Sequence, residues 1–175
     1  MGPQTIGSGP DLRGYHARML RRTYDDQVCS IARALEVVGE RWTLLIVRDA
    51  LSGVTRFDGF LHRLPIARNV LSDRLNSLVE FGVLDRVLYQ DRPPRHEYRL
   101  TAKGRELLPV VLSLMAWGDE HMPAQDGPPA VAEHAACGGV VRTRMICDCC
   151  EREVAPGVVF RRPSDAATPP GPAAG

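Results

Sequence analysis

Lysine is all but missing from this chain: of its 22 basic side chains, 21 are arginine and Lys103 is the exception. Arginine favours forked contacts to phosphate and to guanine. A dominant charge sign is missing as well. With 22 basic and 21 acidic residues the net charge is +1, so any affinity for nucleic acid has to come from local placement rather than a global field. No apolar run approaches the roughly 18–20 residues a membrane span needs, so no membrane partner is expected. Met1–Pro10 is rich in Gly, Pro and Ser and has no apolar h-region, so no secretory signal is expected. These absences point to the cytoplasm, where five cysteines stay reduced unless they bind metal or sense oxidants. There is also no P-loop, nucleotide-binding glycine fingerprint, H-E-x-x-H or serine elbow, and the acidic residues are spread over helix surfaces, so an enzyme is not expected. What remains is globular: 44% apolar and 25% charged, in a length that suits one domain or one domain with a small appendage.

Composition divides the chain. Residues 1–24 carry early glycines and prolines and then the basic stretch His16–Arg22, and read as a flexible arm. Residues 163–175, with Pro163, Pro169, Pro170 and Pro172 among alanines and glycines, read as a disordered tail. Met122–Ala130 is a break between a compact middle, residues 25–122, and a small cysteine-bearing segment, residues 131–162. No internal repeat is evident.

Periodicity gives the middle its architecture. Ser30 is placed to cap a helix with Ile31, Leu35 and Val38 on one face, stopped by Gly39. Trp42–Leu51 has almost no polar interruption, as a buried helix would, and Arg56–Leu64 is a short third helix ended near Pro65. Arg68–Phe81 follows, with Leu71, Leu75 and Leu78 at helical spacing and Asn69, Asp73, Asn76 and Ser77 opposite. After Gly82 the period becomes that of strands: Val83–Tyr89, a tip at Gln90–Pro94, then Arg95–Leu100, which alternates cleanly. Thr101 caps a long apolar helix, Ala102–His121, that Pro109 should kink or divide. The expected fold is therefore mainly α with a small β-hairpin: a winged helix-turn-helix, with the cysteine-containing segment appended. In that layout helix 68–81 enters the major groove of double-stranded DNA while arginines on the hairpin reach an adjacent groove or the phosphates. Ten basic residues face six acidic ones between Arg56 and Arg105. The alternatives are an ordinary solvated face or a winged helix that docks a protein, although the latter does not require arginines on the wing.

The stretches Cys29–Leu35, Gly39–Ile46, Arg56-Phe57, Leu71–Leu75, Pro93–Tyr98, Leu100–Gly104, Leu108-Pro109 and Trp117-Gly118 occur in one consistent order over about ninety residues. Together they resemble the HxlR-type family of bacterial winged-helix transcriptional regulators, relatives of the MarR group. The resemblance implies a homodimer paired through its terminal helices and bound to inverted repeats. A two-fold dimer sets its recognition helices about 34 Å apart, one turn of DNA, and the apolar helix 102–121 agrees with such pairing. Arg68, Asn69, Ser72, Asp73 and Asn76 are then the base-reading candidates, since Asn suits adenine, Arg guanine and Asp cytosine. Arg74 flanks the leucine face, so it suits a phosphate or an intradomain contact. Arg92 and Arg95 suit the backbone or minor groove. Ala67 departs from the capping residue usual in the family, which weakens the helix start by about 1 kcal/mol. A repressor is expected, with its operator and effector open.

Two sets of cysteines bear on sensing. Some members of the family use a cysteine equivalent to Cys29 as an oxidant or electrophile sensor, and a helix N-terminus lowers a thiol pKa. Against this, Ser30 stands where the family commonly has proline, and Cys29 also suits a small apolar structural role. In the appended segment, His134-x2-Cys137 and Cys147-x2-Cys150 offer four ligands for a structural zinc, with Cys149 an unexplained extra and neither half carrying the usual proline. Free or redox-active thiols, or an inert tail, are the alternatives. A small-molecule effector at a dimer interface is compatible with Trp42, Trp117 and Tyr98, although aromatics at such spacing are usually core.

Overall fold

A computed structural model of the chain describes residues 29–154 together with 158 and 160. The arm expected over 1–24 and the tail expected over 163–175 lie outside the described residues, as do 155–157, 159, 161 and 162 of the cysteine-bearing segment. The chain divides into two compact units between Val111 and Leu112.

The first unit runs α1 (Ser30–Val38), α2 (Thr43–Leu51), α3 (Phe57–Arg63), α4 (Arg68–Glu80), β1 (Leu84–Asp91), β2 (Pro94–Leu100) and α5 (Ala102–Arg105), and ends in the first turn of α6 (Leu108–His121). As the periodicity predicts, Leu71, Leu75 and Leu78 of α4 are buried, as are Ile46 and Val47 of α2; Phe60 of α3 and Leu84 of β1 join them in the core. Gly82 follows α4 at φ +67, a left-handed position that costs glycine nothing, and the chain closes the helix through Val83 N–H to Leu78 O at 2.9 Å. Asp49, also buried, ties α2 to α3. Its Oδ1 accepts from Arg48 Nη2 at 2.9 Å and lies 3.8 Å from Arg63 Nε.

β1 and β2 pair antiparallel from Leu84↔Leu100 to Asp91↔Pro94, and the register slips between Leu88 and Gln90, leaving Tyr89 as a bulge. Both strands run further than expected, so the turn is only Arg92-Pro93. Pro94 is tolerated because a strand's first residue need not donate to the ladder. Sequence reasoning also missed a short third edge: Arg56 bridges to Glu97, and Tyr98 N–H donates to Thr55 O at 2.7 Å. After β2, Thr101 Oγ1 accepts from Gly104 N–H at 3.0 Å, the expected cap. The long helix is divided at residues 106–107, and Pro109 falls in the first turn of α6, where a missing N–H breaks nothing.

Helix α1 departs from expectation. Cys29, not Ser30, occupies the cap position, and Ser30 Oγ instead accepts from Arg33 Nη2 at 3.2 Å. Of the face Ile31, Leu35 and Val38, only Val38 is buried, whereas Ile31 is 64% exposed. Spacing put these side chains on one stripe but could not say what covers it.

In the second unit, Leu112 is the only described residue that is buried. Beyond α6 its described residues form no helix or named strand. They form two short loops, each closed by a single antiparallel bridge, Glu133↔Val140 and Ile146↔Glu153.

Candidate nucleic-acid interface

Helix α4 sorts its side chains in two. The leucines are buried, and Arg68, Asn69, Asp73 and Asn76 stand exposed on the outer side, with Ser72 half-exposed beside them. This is the division the base-reading candidates need. No side chain caps α4, because Ala67 has no acceptor, so the first-turn N–H groups beside Arg68 are left for an external partner. Arg74 is placed differently. Its Nη1 lies 3.4 Å from Glu40 Oε2 and its side chain is 21% exposed, so it braces α4 against the turn before α2.

The charges around this helix and the hairpin are largely committed to each other. Glu97 holds Arg99 Nη2 at 2.8 Å and Arg56 Nε at 3.3 Å. These two arginines, with Arg99 the stronger donor, keep the Glu97 carboxyl below its ordinary pKa. The Arg56 guanidinium also lies 4.7 Å over the Tyr89 ring, which the bulge turns toward it. Arg68 Nη2 is 3.6 Å from Asp58 Oδ1, Arg86 Nη2 is 3.2 Å from His96 Nδ1, and Arg105 Nη1 donates to Leu100 O at 2.8 Å. Arg33, Arg41, Arg48 and Arg63 likewise have internal partners. Among the described arginines of this unit, only Arg92 and Arg95 have guanidinium groups without a hydrogen bond, ion pair or ring contact, and both are exposed at the hairpin end.

A groove of about 580 Å³ runs between the start of α3, the start of α4 and the hairpin, lined by Arg56, Asp58, Arg68, Tyr89, Arg95 and His96 among others. It brings Arg68 of the helix and Arg95 of the wing to one depression. Arg56, Tyr89 and His96 were not singled out from the sequence. Their presence depends on the bulge and on the Thr55–Arg56 edge, neither of which leaves a local sequence signal. A second cavity, about 330 Å³, lies within the C-terminal unit between α6 residues such as Leu112 and Met115 and the segment Val140–Thr143. Neither Trp42 nor Trp117 lines either cavity, and Tyr98 lines the groove.

All five cysteines are free thiols. Cys29 is exposed at the start of α1, and the backbone N–H groups of Ala32 and Ile31, aided by the Arg33 charge, hold its thiol below the ordinary value. Cys147 is lowered as well, by N–H groups of Cys150 and Cys149 aimed at its sulfur and by the Cys150 thiol. His134 Nδ1 lies 3.3 Å from Cys137 Sγ. The four zinc candidates thus stand as two pairs; among the described residues no three His, Cys, Asp or Glu side chains are gathered at metal-binding distance.

The sequence pattern of the family described as HxlR-like helix-turn-helix matches residues 37–126. An uncharacterised HTH-type transcriptional regulator of Mycobacterium tuberculosis is 51% identical over 125 residues, which is 71% of this chain and 79% of that protein. A solved structure described as PA1607, a candidate transcription factor, superposes with a TM-score of 0.70 at 35% identity, over 79% of this chain and 99% of that one. The redox regulator HypR in its reduced form superposes with a TM-score of 0.51 at 32% identity, over 54% of this chain and 94% of its own.

Proposed function

The chain belongs to the HxlR-like helix-turn-helix family, a family of DNA-binding transcriptional regulators and not of enzymes, and from that premise we propose that it is a cytoplasmic homodimeric repressor of an inverted-repeat operator. Arg68, Asn69, Ser72, Asp73 and Asn76 read base edges in the major groove, Arg92 and Arg95 hold phosphates or the minor groove at the wing, and Arg74 positions α4 through Glu40. The observation that carries this reading is the pairing of charges: every other described arginine of the winged-helix unit is engaged internally, and the two at the wing are left for a ligand. Cytoplasmic residence goes with a DNA target, and no helix among the described residues is long and apolar enough to cross a membrane. Pairing accords with Leu114 and Trp117 of α6, which are 52% and 57% exposed, and with the open Ile31 and Leu35 of α1. A dimer spanning one turn of DNA represses by occupancy alone.

The test is fluorescence anisotropy on the DNA upstream of the protein's own gene. Specific binding is expected. The double variant Arg92→Ala/Arg95→Ala weakens it on every sequence and reduces the log–log salt slope by roughly 2, since each phosphate no longer neutralised takes about 0.9 from it. An unchanged slope would overturn the wing assignment. Absence of binding to any inverted repeat would overturn the operator reading.

A second reading, a thiol switch, is favoured by the exposed Cys29 at the start of α1, whose thiol the Ala32 and Ile31 backbone N–H groups hold below its ordinary value, and by the likeness to a regulator described as redox-responsive. Oxidant-induced release from DNA that disappears in Cys29→Ser supports it. Equal affinity of reduced and oxidised protein removes it and leaves a small-molecule effector.

A further inference from the structure

We propose that the two loops of the C-terminal unit are the halves of one structural zinc site, with His134 and Cys137 from the first loop and Cys147 and Cys150 from the second as its four ligands. The two loops have the same backbone, displaced by thirteen residues. His134 N–H donates to Gly139 O at 2.8 Å, as Cys147 N–H does to Arg152 O at 2.9 Å; Gly138 N–H returns to His134 O at 2.8 Å, as Glu151 N–H does to Cys147 O at 2.8 Å. At the base, Val141 N–H donates to Ala132 O and Val154 N–H to Met145 O, both at 2.8 Å. The residue after the second ligand is left-handed in each, Gly138 at φ +69 and Glu151 at φ +54. Glutamate rarely adopts that conformation, so the second loop keeps the shape against a local preference. The repetition therefore belongs to the loop geometry, and the positions it equates are His134 with Cys147 and Cys137 with Cys150.

The first loop already holds its two donor atoms near the spacing of a tetrahedron's edge. Zn–S near 2.3 Å and Zn–N near 2.05 Å put a sulfur and a nitrogen about 3.6 Å apart, and His134 Nδ1 and Cys137 Sγ are 3.3 Å apart. In the second loop Cys147 and Cys150 hold the positions of His134 and Cys137, set by the matching Cys147 N–H to Arg152 O and Glu151 N–H to Cys147 O bonds. Cys149 corresponds to Ala136, midway round the loop, and is not a ligand. Only Arg142, Thr143 and Arg144 join the base of the first loop to the base of the second, so both tips can stand at the same end. Closing the two pairs on one ion completes a Cys3His set, with three thiol protons released to solvent and neutral imidazole as the fourth ligand.

Zinc also supplies what this segment lacks. Val140, Met145 and Ile146 are each more than half exposed, and a stretch this short cannot build a sufficient apolar core.

Full-length protein produced with zinc, desalted and analysed by plasma mass spectrometry is expected to carry one zinc per chain, released as a mercurial titrates the thiols. Cys137→Ser and Cys147→Ser each lose the metal, whereas Cys149→Ser and Cys29→Ser keep it. His134→Cys, which preserves a ligand, retains zinc, and its cobalt form gains sulfur-to-metal charge-transfer absorption over the cobalt-loaded parent. Wild-type protein without zinc and with five freely titrating thiols overturns the proposal. So does zinc that survives in both Cys137→Ser and Cys147→Ser, or zinc lost in Cys149→Ser alone.

Discussion

The two units of this chain hold their shape in opposite ways. The winged helix is built round side chains: Phe60, Leu71, Leu75, Leu78, Val83 and Leu84 are all buried, and the surface arginines are largely engaged with internal partners. Beyond α6 the described residues of the C-terminal unit bury nothing, yet they repeat a specific set of backbone hydrogen bonds twice. Apolar burial contributes roughly 25 cal/mol per Å², so these loops draw little on that source and are shaped by local backbone bonds. The same difference separates their chemistry. The first unit offers a ligand two unpaired charges, Arg92 and Arg95, and the second offers thiols and an imidazole.

Truncation should sharpen this contrast most strongly. Leu75→Ala is expected to cost about 2–5 kcal/mol by chemical denaturation, the range for a buried leucine that leaves a cavity. Val140→Ala, at an exposed position, should stay within about 0.5 kcal/mol. A comparable loss at Val140 would mean that the second unit has a core after all. Gly104→Ala probes the first unit's tightness from the other side. An added Cβ there would collide with the Val83 carbonyl and crowd Leu100 Cδ2. Because one obstacle is backbone, a cost of about 1–3 kcal/mol is expected. Gly118→Ala, where a Cβ meets nothing within 4 Å, serves as the control. The wing arginines reverse the pattern: Arg92→Ala and Arg95→Ala should each leave the denaturation midpoint within about 0.5 kcal/mol of wild type while reducing the salt slope of DNA binding by about 1. A stability loss without a change in slope would reassign them to the fold.

What was legible in the sequence follows the same line. Leu71, Leu75 and Leu78, the helix stop at Gly82, the Thr101 cap and the break at Pro109 were readable because each depends on neighbours within a turn or two. The exposed outer residues of α4 follow from the same period. Three features were not readable. The Thr55–Arg56 edge depends on pairing across some forty residues, and the bulge at Tyr89 on a register slip between two strands whose alternation does not mark it, and with them goes the groove that gathers Arg56, Arg68 and Arg95. The openness of Ile31 and Leu35 depends on what lies opposite them. The thirteen-residue repetition escaped because it is carried by backbone bonds: aligned over Ala132–Val141 and Met145–Val154, the two loops share only Cys137 with Cys150 and Val141 with Val154.

The smallest expected effect is also the one that tests whether the wing is held by its charges. Glu97 joins Arg99 on its own strand to Arg56 on the third edge, and their hydrogen bonds keep its carboxyl below the ordinary value of 4.5. A carboxylate favoured in the folded state binds fewer protons there than in the unfolded chain. Its contribution to stability is therefore fully present above the unfolded value and is lost as the pH falls through the folded one. Glu97→Gln should remove that part of the acid dependence, so the wild-type and variant denaturation curves, separated near neutrality, converge once Glu97 is protonated. If the two curves stay parallel through the acid range, the pair contributes no linkage. The Thr55–Arg56 edge would then be held by Tyr98 N–H to Thr55 O and by the stacking of Arg56 on Tyr89, and Tyr89→Ala rather than Glu97→Gln would be the substitution that loosens the wing.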